Sequence, residues 1–140
     1  MTIDQAGIDF IKGFEGFSST IYKDVAGHPT IGIGHLIKPD EDFTMGITLM
    51  QAETLLYDDM EPVEAKILGL APDGCRQNQF NALCSFGFNL GTGALAQMLA
   101  HGWEQVPAQI LRWDQAAGKV VAGLTRRRIA EAALFRKEGA

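Results

Sequence analysis

Residues 15–35 read EGFSSTIYKDVAGHPTIGIGH, and three reactive side chains in this stretch fall in three different kinds of local structure. Glu15 stands where a helical pattern runs out at Gly16, the residue type that most readily takes the left-handed backbone closing a helix. Asp24 follows the β-branched and aromatic run Thr20-Ile21-Tyr22, a turn at Val25, Ala26 and Gly27 comes next, and Thr30 opens a second β-prone run ending at Gly34. The two runs predict a small antiparallel sheet. Gly32 and Gly34 alternate inside the second run, where glycine weakens a strand and marks close approach of another backbone or a ligand. Two acids and a hydroxyl converging from separate elements meet the needs of glycosidic bond cleavage. One carboxyl stays protonated as general acid, the other is ionised to hold a water or an oxocarbenium ion, and stiff elements fix their separation.

Upstream, Thr2-Ile3-Asp4-Gln5 has the spacing of a capping box, with Thr2 as N-cap and Gln5 reaching back. Gly7, Phe10, Ile11 and Phe14 then recur at helical intervals as one buried stripe. The helix end carries partial negative charge and Phe14 and Phe17 bracket Glu15 with apolar surface, two influences that favour a protonated acid. Asp24 also suits a turn former whose side chain bonds a nearby amide, and the residues alone leave both roles open.

Glu-Gly, Tyr-Lys-Asp and Thr-Ile-Gly-Ile-Gly-His at these spacings resemble the phage-type lysozymes, glycoside hydrolase family 24, and the segment is similar to that of the T-even phage lysozyme. Gly46 to Asp59, Gln79 to Gly91 and Arg112 to Phe135 resemble the rest of that domain. The resemblance implies an α+β, mostly α, lysozyme-like fold, with a small β-hairpin lobe and a helical lobe flanking a cleft. It implies inverting hydrolysis of the β-1,4 bond between N-acetylmuramic acid and N-acetylglucosamine in peptidoglycan, causing lysis. Glu15 would protonate the leaving oxygen, and Asp24, helped by Thr30, would position and activate the water. Leu36, Phe88, Asn89 and one or both of Arg126 and Arg127 would face substrate, and His35 would pair with Asp59. No cofactor or metal is expected. The expected partner beyond the glycan strands is a membrane-permeabilising, holin-type protein. A non-catalytic wall-binding or scaffolding domain and a glycanase on chitin-like polymers are the alternatives.

Length and charge fit that picture. The chain has 140 residues, room for one domain: a helix and hairpin lobe at 1–47, a linking helix at about 48–70 and a helical lobe at about 71–140. Residues 1–74 carry 13 acids and 4 bases, whereas residues 75–140 carry 4 acids and 8 bases, so two lobes would put a field across their cleft. The overall charge of −5 argues mildly against a binder of anionic walls or of nucleic acid. The sequence offers no long apolar span and no basic-then-apolar leader, so synthesis in the host cytoplasm, action on the periplasmic wall after release, no stable membrane insertion and a monomer are expected. Three histidines without HxH or HExxH spacing make a metal site a poor reading. Cys75 and Cys84 read as reduced packing residues.

Thr48 to Gln51 is a second capping box, opening a helix whose stripe of Leu49, Ala52, Leu55, Leu56, Met60, Val63 and Ile67 is bent or divided by Pro62. Gln77 to Leu90 is apolar nearly all round and predicts a buried helix. Between Gly93 and Trp103 the chain is about half a dozen residues shorter than the family pattern, whose extra residues form a further helix lining the second lobe, so the far subsites are left open. Helices at Glu104 to Trp113 and Arg126 to Lys137 close the chain. In the second of these Leu124, Ile129, Ala132, Ala133 and Phe135 would point inward, and Arg126 to Arg128 would be solvated or line the cleft.

Overall fold

The computed structural model describes residues 1–138. Helix α1 (Gln5–Glu15) leads into a three-stranded antiparallel sheet in the order β1 (Ser18–Lys23), β2 (Pro29–Gly32), β3 (His35–Leu36). Helices α2 (Leu49–Asp59), α3 (Glu61–Leu70), α4 (Gln77–Leu90) and α5 (Thr92–Leu99) follow, then a 3-10 turn (Trp103–Gln105) and α6 (Val106–Ile110). A two-stranded hairpin of β4 (Gln115–Ala116) and β5 (Lys119–Val120) precedes α7 (Ala122–Arg136). The fold is mostly helical with small antiparallel sheets, as expected.

Asp4, not Thr2, caps α1. Its carboxylate accepts from Gly7 N–H at 3.1 Å and from Asn81 Nδ2 at 2.8 Å, while the Thr2 carbonyl accepts from Gln77 and the Gln5 amide turns to Asp9 and Glu53. Asp4 wins the cap because one carboxylate serves both the helix end and a neighbouring helix. The inward residues of α1 are Gly7, Ile8 and Ile11, with Phe14 40% exposed, so the stripe is rotated from the expected one. This face packs against α4.

Thr48 and Gln51 form the expected reciprocal cap on α2, and the chain breaks at Met60, where Pro62 lies in the first turn of α3. Leu49 is 40% exposed and Leu55 half-buried, so the stripe narrows to Ala52, Leu56, Met60, Val63 and Ile67. Helix α4 runs Gln77–Leu90 with every residue from Asn78 to Gly87 buried; α1, α3, α5 and α7 pack around it. It is the axis of the core. The shortened segment between 93 and 103 forms α5, which puts Leu95 and Met98 fully into the core.

Helix α7 begins at Ala122, four residues before the expected start, and buries Arg127, Arg128, Glu131, Ala132 and Phe135. That spacing is a helical stripe, but three of its five residues are charged. Ile129 is 55% exposed and Ala133 faces solvent, which corrects the apolar face read from the sequence. An inward row filled by ion pairs carries no hydrophobic signature.

Candidate active site

Gly16 ends α1 at φ +73°, and its N–H bonds the Lys12 carbonyl at 2.8 Å. Glu15 therefore projects from a fixed helix end. Its carboxylate borders a cleft of about 340 Å³ lined by Gly34, Leu36, Lys38, Asp59, Phe88 and Asn89. Gly34 has φ +68°, and a Cβ there would lie 3.0 Å from Glu15 Oε1 and 3.3 Å from the Phe88 ring. Gly34 lies in the turn between β2 and β3 rather than in the expected strand run, and there it marks close approach of side chains and leaves room for the carboxyl. Phe14 and Phe17 are 40% and 42% exposed, so the apolar bracket around Glu15 is half open.

The nearest group to Glu15 is a guanidinium. Arg127 Nη1 donates to Glu15 Oε2 at 2.5 Å, while Nη2 reaches the Ser85 carbonyl and hydroxyl, each at 3.3 Å. Arg127 Nε is 3.3 Å from the Ser85 hydroxyl and 3.4 Å from Glu131 Oε2, and its Cζ lies 5.5 Å from the Phe14 ring centroid. Every nitrogen of the fork is held, the geometry an arginine provides and a lysine cannot. Arg128 is fully buried, donates from Nη2 to Asn89 Oδ1 and stacks over Phe86 at 5.1 Å. Arg126 does not join this group; it is exposed and lies back along its own helix near Gly123.

Asp24 sits outside that cleft volume, in the turn between β1 and β2. Its Oδ1 accepts from Ala26 N–H at 2.9 Å and His28 N–H at 2.8 Å, with His28 Nδ1 3.4 Å from Oδ2. The His28 amide, opposed by desolvation and aided by the Ala26 amide and the His28 ring, holds this carboxyl below the usual carboxylate range, so it is ionised near neutrality. The turn-forming geometry and a standing negative charge coexist. Thr30 is 2% exposed, opposite Tyr22 in the β1–β2 ladder, and its hydroxyl donates to the His28 carbonyl at 2.9 Å. Tyr22 on β1 links the two acids: burial, then the charges of Glu15 and Asp24, push its phenol above the ordinary tyrosine range.

His35 on β3 lies between two carboxylates. Nδ1 is 2.8 Å from Asp59 Oδ2 on α2, and Nε2 is 2.9 Å from Glu41 Oε1 in the following loop. Sequence reasoning named the first partner and missed the second. It also missed Lys38, Ser85, Tyr22 and Glu131. Of these Glu131 carried a signal, since it lies three and four residues beyond Arg128 and Arg127, the spacing of helical ion pairs. No three His, Cys, Asp or Glu side chains gather as a metal site among the described residues.

The phage lysozyme family model matches residues 12–131. The chain belongs to the phage lysozyme family. This family member is 41% identical over 143 residues to the endolysin of Bacillus phage PZA, covering 96% of this chain and 55% of that protein. It therefore spans about half the length of that relative. It is 37% identical over 144 residues to the endolysin of Salmonella phage P22, covering 96% of this chain and 98% of that one. Among solved structures, the muramidase domain of SpmX from Asticaccaulis excentricus superposes at TM-score 0.84 with 32% identity over 97% of this chain and 98% of that one.

Proposed function

We propose that this chain is a muramidase of endolysin type, which hydrolyses the β-1,4 bond between N-acetylmuramic acid and N-acetylglucosamine in peptidoglycan. The observation that carries the reading is the Glu15 carboxyl, fixed at the cleft wall by a guanidinium that is itself held at every nitrogen. In the proposed reaction Glu15 protonates the leaving glycosidic oxygen as the bond breaks. Asp24, kept ionised by its turn amides, orients a water on the opposite face of the sugar and takes its proton. Thr30, with its proton engaged by the His28 carbonyl, presents its oxygen lone pairs toward that water. An inverting course needs the carboxyls roughly 6.5–9.5 Å apart to admit the water. Leu36, Phe88 and Asn89 provide the cleft surface for the sugars.

Among the described residues no helix is long and apolar enough to cross a membrane. Our reading is of an enzyme made in the host cytoplasm that reaches the wall through a holin-type, membrane-permeabilising partner and acts as a monomer. The test is turbidity loss of permeabilised Gram-negative cells set beside cleavage of chitin oligomers. Wild type clears the cells and leaves the oligomers, whereas Glu15→Gln, which keeps size but removes the transferable proton, loses at least about 10²-fold in rate. Clearing by Glu15→Gln at the wild-type rate contradicts the assignment of the acid. Cleavage confined to the chitin oligomers contradicts the substrate.

A further inference from the structure

Glu131 has no part in the scheme above, yet it and Arg128 are the most enclosed charged groups of the described chain, both 0% exposed. Its Oε2 accepts from the Ser85 hydroxyl at 2.5 Å and lies 3.4 Å from Arg127 Nε. Its Oε1 lies 3.0 Å from Arg128 Nε, off the line of a hydrogen bond. Arg127 ends on Glu15 and Arg128 ends on Asn89, and both of those residues line the cleft. One buried carboxylate is therefore the joint between the acid and a substrate-facing amide. We propose that Glu131 is a positioning residue, which fixes Arg127 against Glu15 and Arg128 against Asn89 and limits how strongly the guanidinium pair holds the acid. The inference rests on the reading of Glu15 as general acid.

Stability alone does not account for this cluster. Four buried side-chain polar atoms lack a hydrogen-bond partner among the described residues, and three of them are Arg128 Nε, Arg128 Nη1 and Glu131 Oε1. Burying a polar group without a hydrogen bond opposes folding, even though Arg128 Nε and Glu131 Oε1 still face each other as an ion pair at 3.0 Å. Well-packed apolar residues commonly replace a buried ion cluster without loss of stability. Burial raises the Glu131 carboxyl above its usual range against the pull of Arg128 and lowers Arg128 likewise, the mark of charges kept where solvation disfavours them.

The charge pattern gives the cluster a task. Glu15 and Glu131 face Arg127 and Arg128, two acids against two bases. Without Glu131, Arg127 would have only Glu15 as its carboxylate partner and Arg128 would be opposed by Asp114 and, more weakly, Glu15. The added positive charge would then favour the Glu15 carboxylate, whereas a general acid must regain a proton in each turnover. The other groups facing Glu15 are Tyr22 on β1, Lys38 after β3 and Asp59 on α2; those facing Glu131 are the two arginines and Ser85 on α4.

The test is a set of kcat and KM pH profiles on soluble peptidoglycan fragments, each with a thermal melt. Glu131→Gln keeps the shape and the acceptor for Ser85 but removes the charge. Expected are a kcat lower by roughly 10- to 100-fold, as for a small misplacement of a reacting group, and an alkaline limb moved to lower pH. Ser85→Ala retains all four charges and loosens the joint, so kcat falls while the limb stays. Glu131→Gln/Arg128→Gln restores charge balance, so the limb returns toward wild type while KM rises through the lost hold on Asn89. If Glu131→Gln alone does not fold, the other two variants decide by the same outcomes. Variants that melt earlier but keep the wild-type kcat and pH limb overturn the proposal and leave Glu15 untouched. An inactive wild type overturns the reading of Glu15 instead.

Discussion

At the scale of the residue, three consecutive arginines have three different environments: Arg126 in water, Arg127 on the acid and Arg128 in the core. A helix turns about 100° per residue, so the division follows from geometry, and the sequence could state that the three differ but not which one faces Glu15. Arg127→Lys keeps the charge but cannot fill the sites on Glu15, Ser85 and Glu131 together. Turnover is expected to fall about 10- to 100-fold with the protein still folded. Arg126→Ala should leave lytic rate and stability, within about 0.5 kcal/mol, as in wild type. Equal rates for the two variants would mean that the helix presents a simple charged face to the cleft.

At the scale of the element, the sheet and α1 meet through Gly34. Gly34→Ala forces a left-handed backbone worth about 1–2 kcal/mol onto a residue with a Cβ, and that Cβ meets Glu15 and Phe88. Gly27 is the control, because it has φ +85° with nothing within 4 Å. Denaturant unfolding should show similar losses for Gly27→Ala and Gly34→Ala, with lytic rate falling sharply only in the second. Equal rates in the two would separate Gly34 from the site.

His35 joins β3 to α2 and the Glu41 loop. Desolvation alone would lower its pKa, but the bonds and charges of Asp59 and Glu41 outweigh this and raise it above 6.5. A raised folded value means stabilisation that is complete below the unfolded pKa and lost as pH rises through the folded one. Thermal melts from about pH 6 to about pH 9 should thus bring wild type down toward His35→Gln. A gap that stays constant across that range would show that the ring's charge does not hold these elements together.

The elements were legible in the sequence where hydrophobic period and cap chemistry agree, as in α2 with its Thr48–Gln51 box and α4 over Gln77–Leu90. They were not legible where a buried face is charged, as in α7. The β4–β5 hairpin escaped for another reason: its turn puts Ala117 at φ +52°, where Asn, Asp or Gly is the usual sign.

At the scale of the whole molecule, the acid-rich first half supplies Glu15, Asp24 and the sheet, and the base-rich second half supplies the arginines that hold Glu15. The charge asymmetry read along the chain becomes a contact between residues 112 positions apart. Glu15, Asp24 and Thr30 are candidates that one segment could supply because their separation is local. Ser85 is not among them, because the long-range pairing that brings it behind Arg127 leaves no local pattern, whereas Glu131 showed only as the helical spacing of an ion pair.

The central claim is that Glu15 drives inverting muramidase chemistry in this cleft, and the most direct measurement is NMR of the reducing ends released from purified peptidoglycan as the digestion proceeds. Wild type should release new N-acetylmuramic acid ends that appear first as the inverted α anomer, and Glu15→Gln should release none. Ends of N-acetylglucosamine, a first-formed β anomer, or the same products from Glu15→Gln would contradict it.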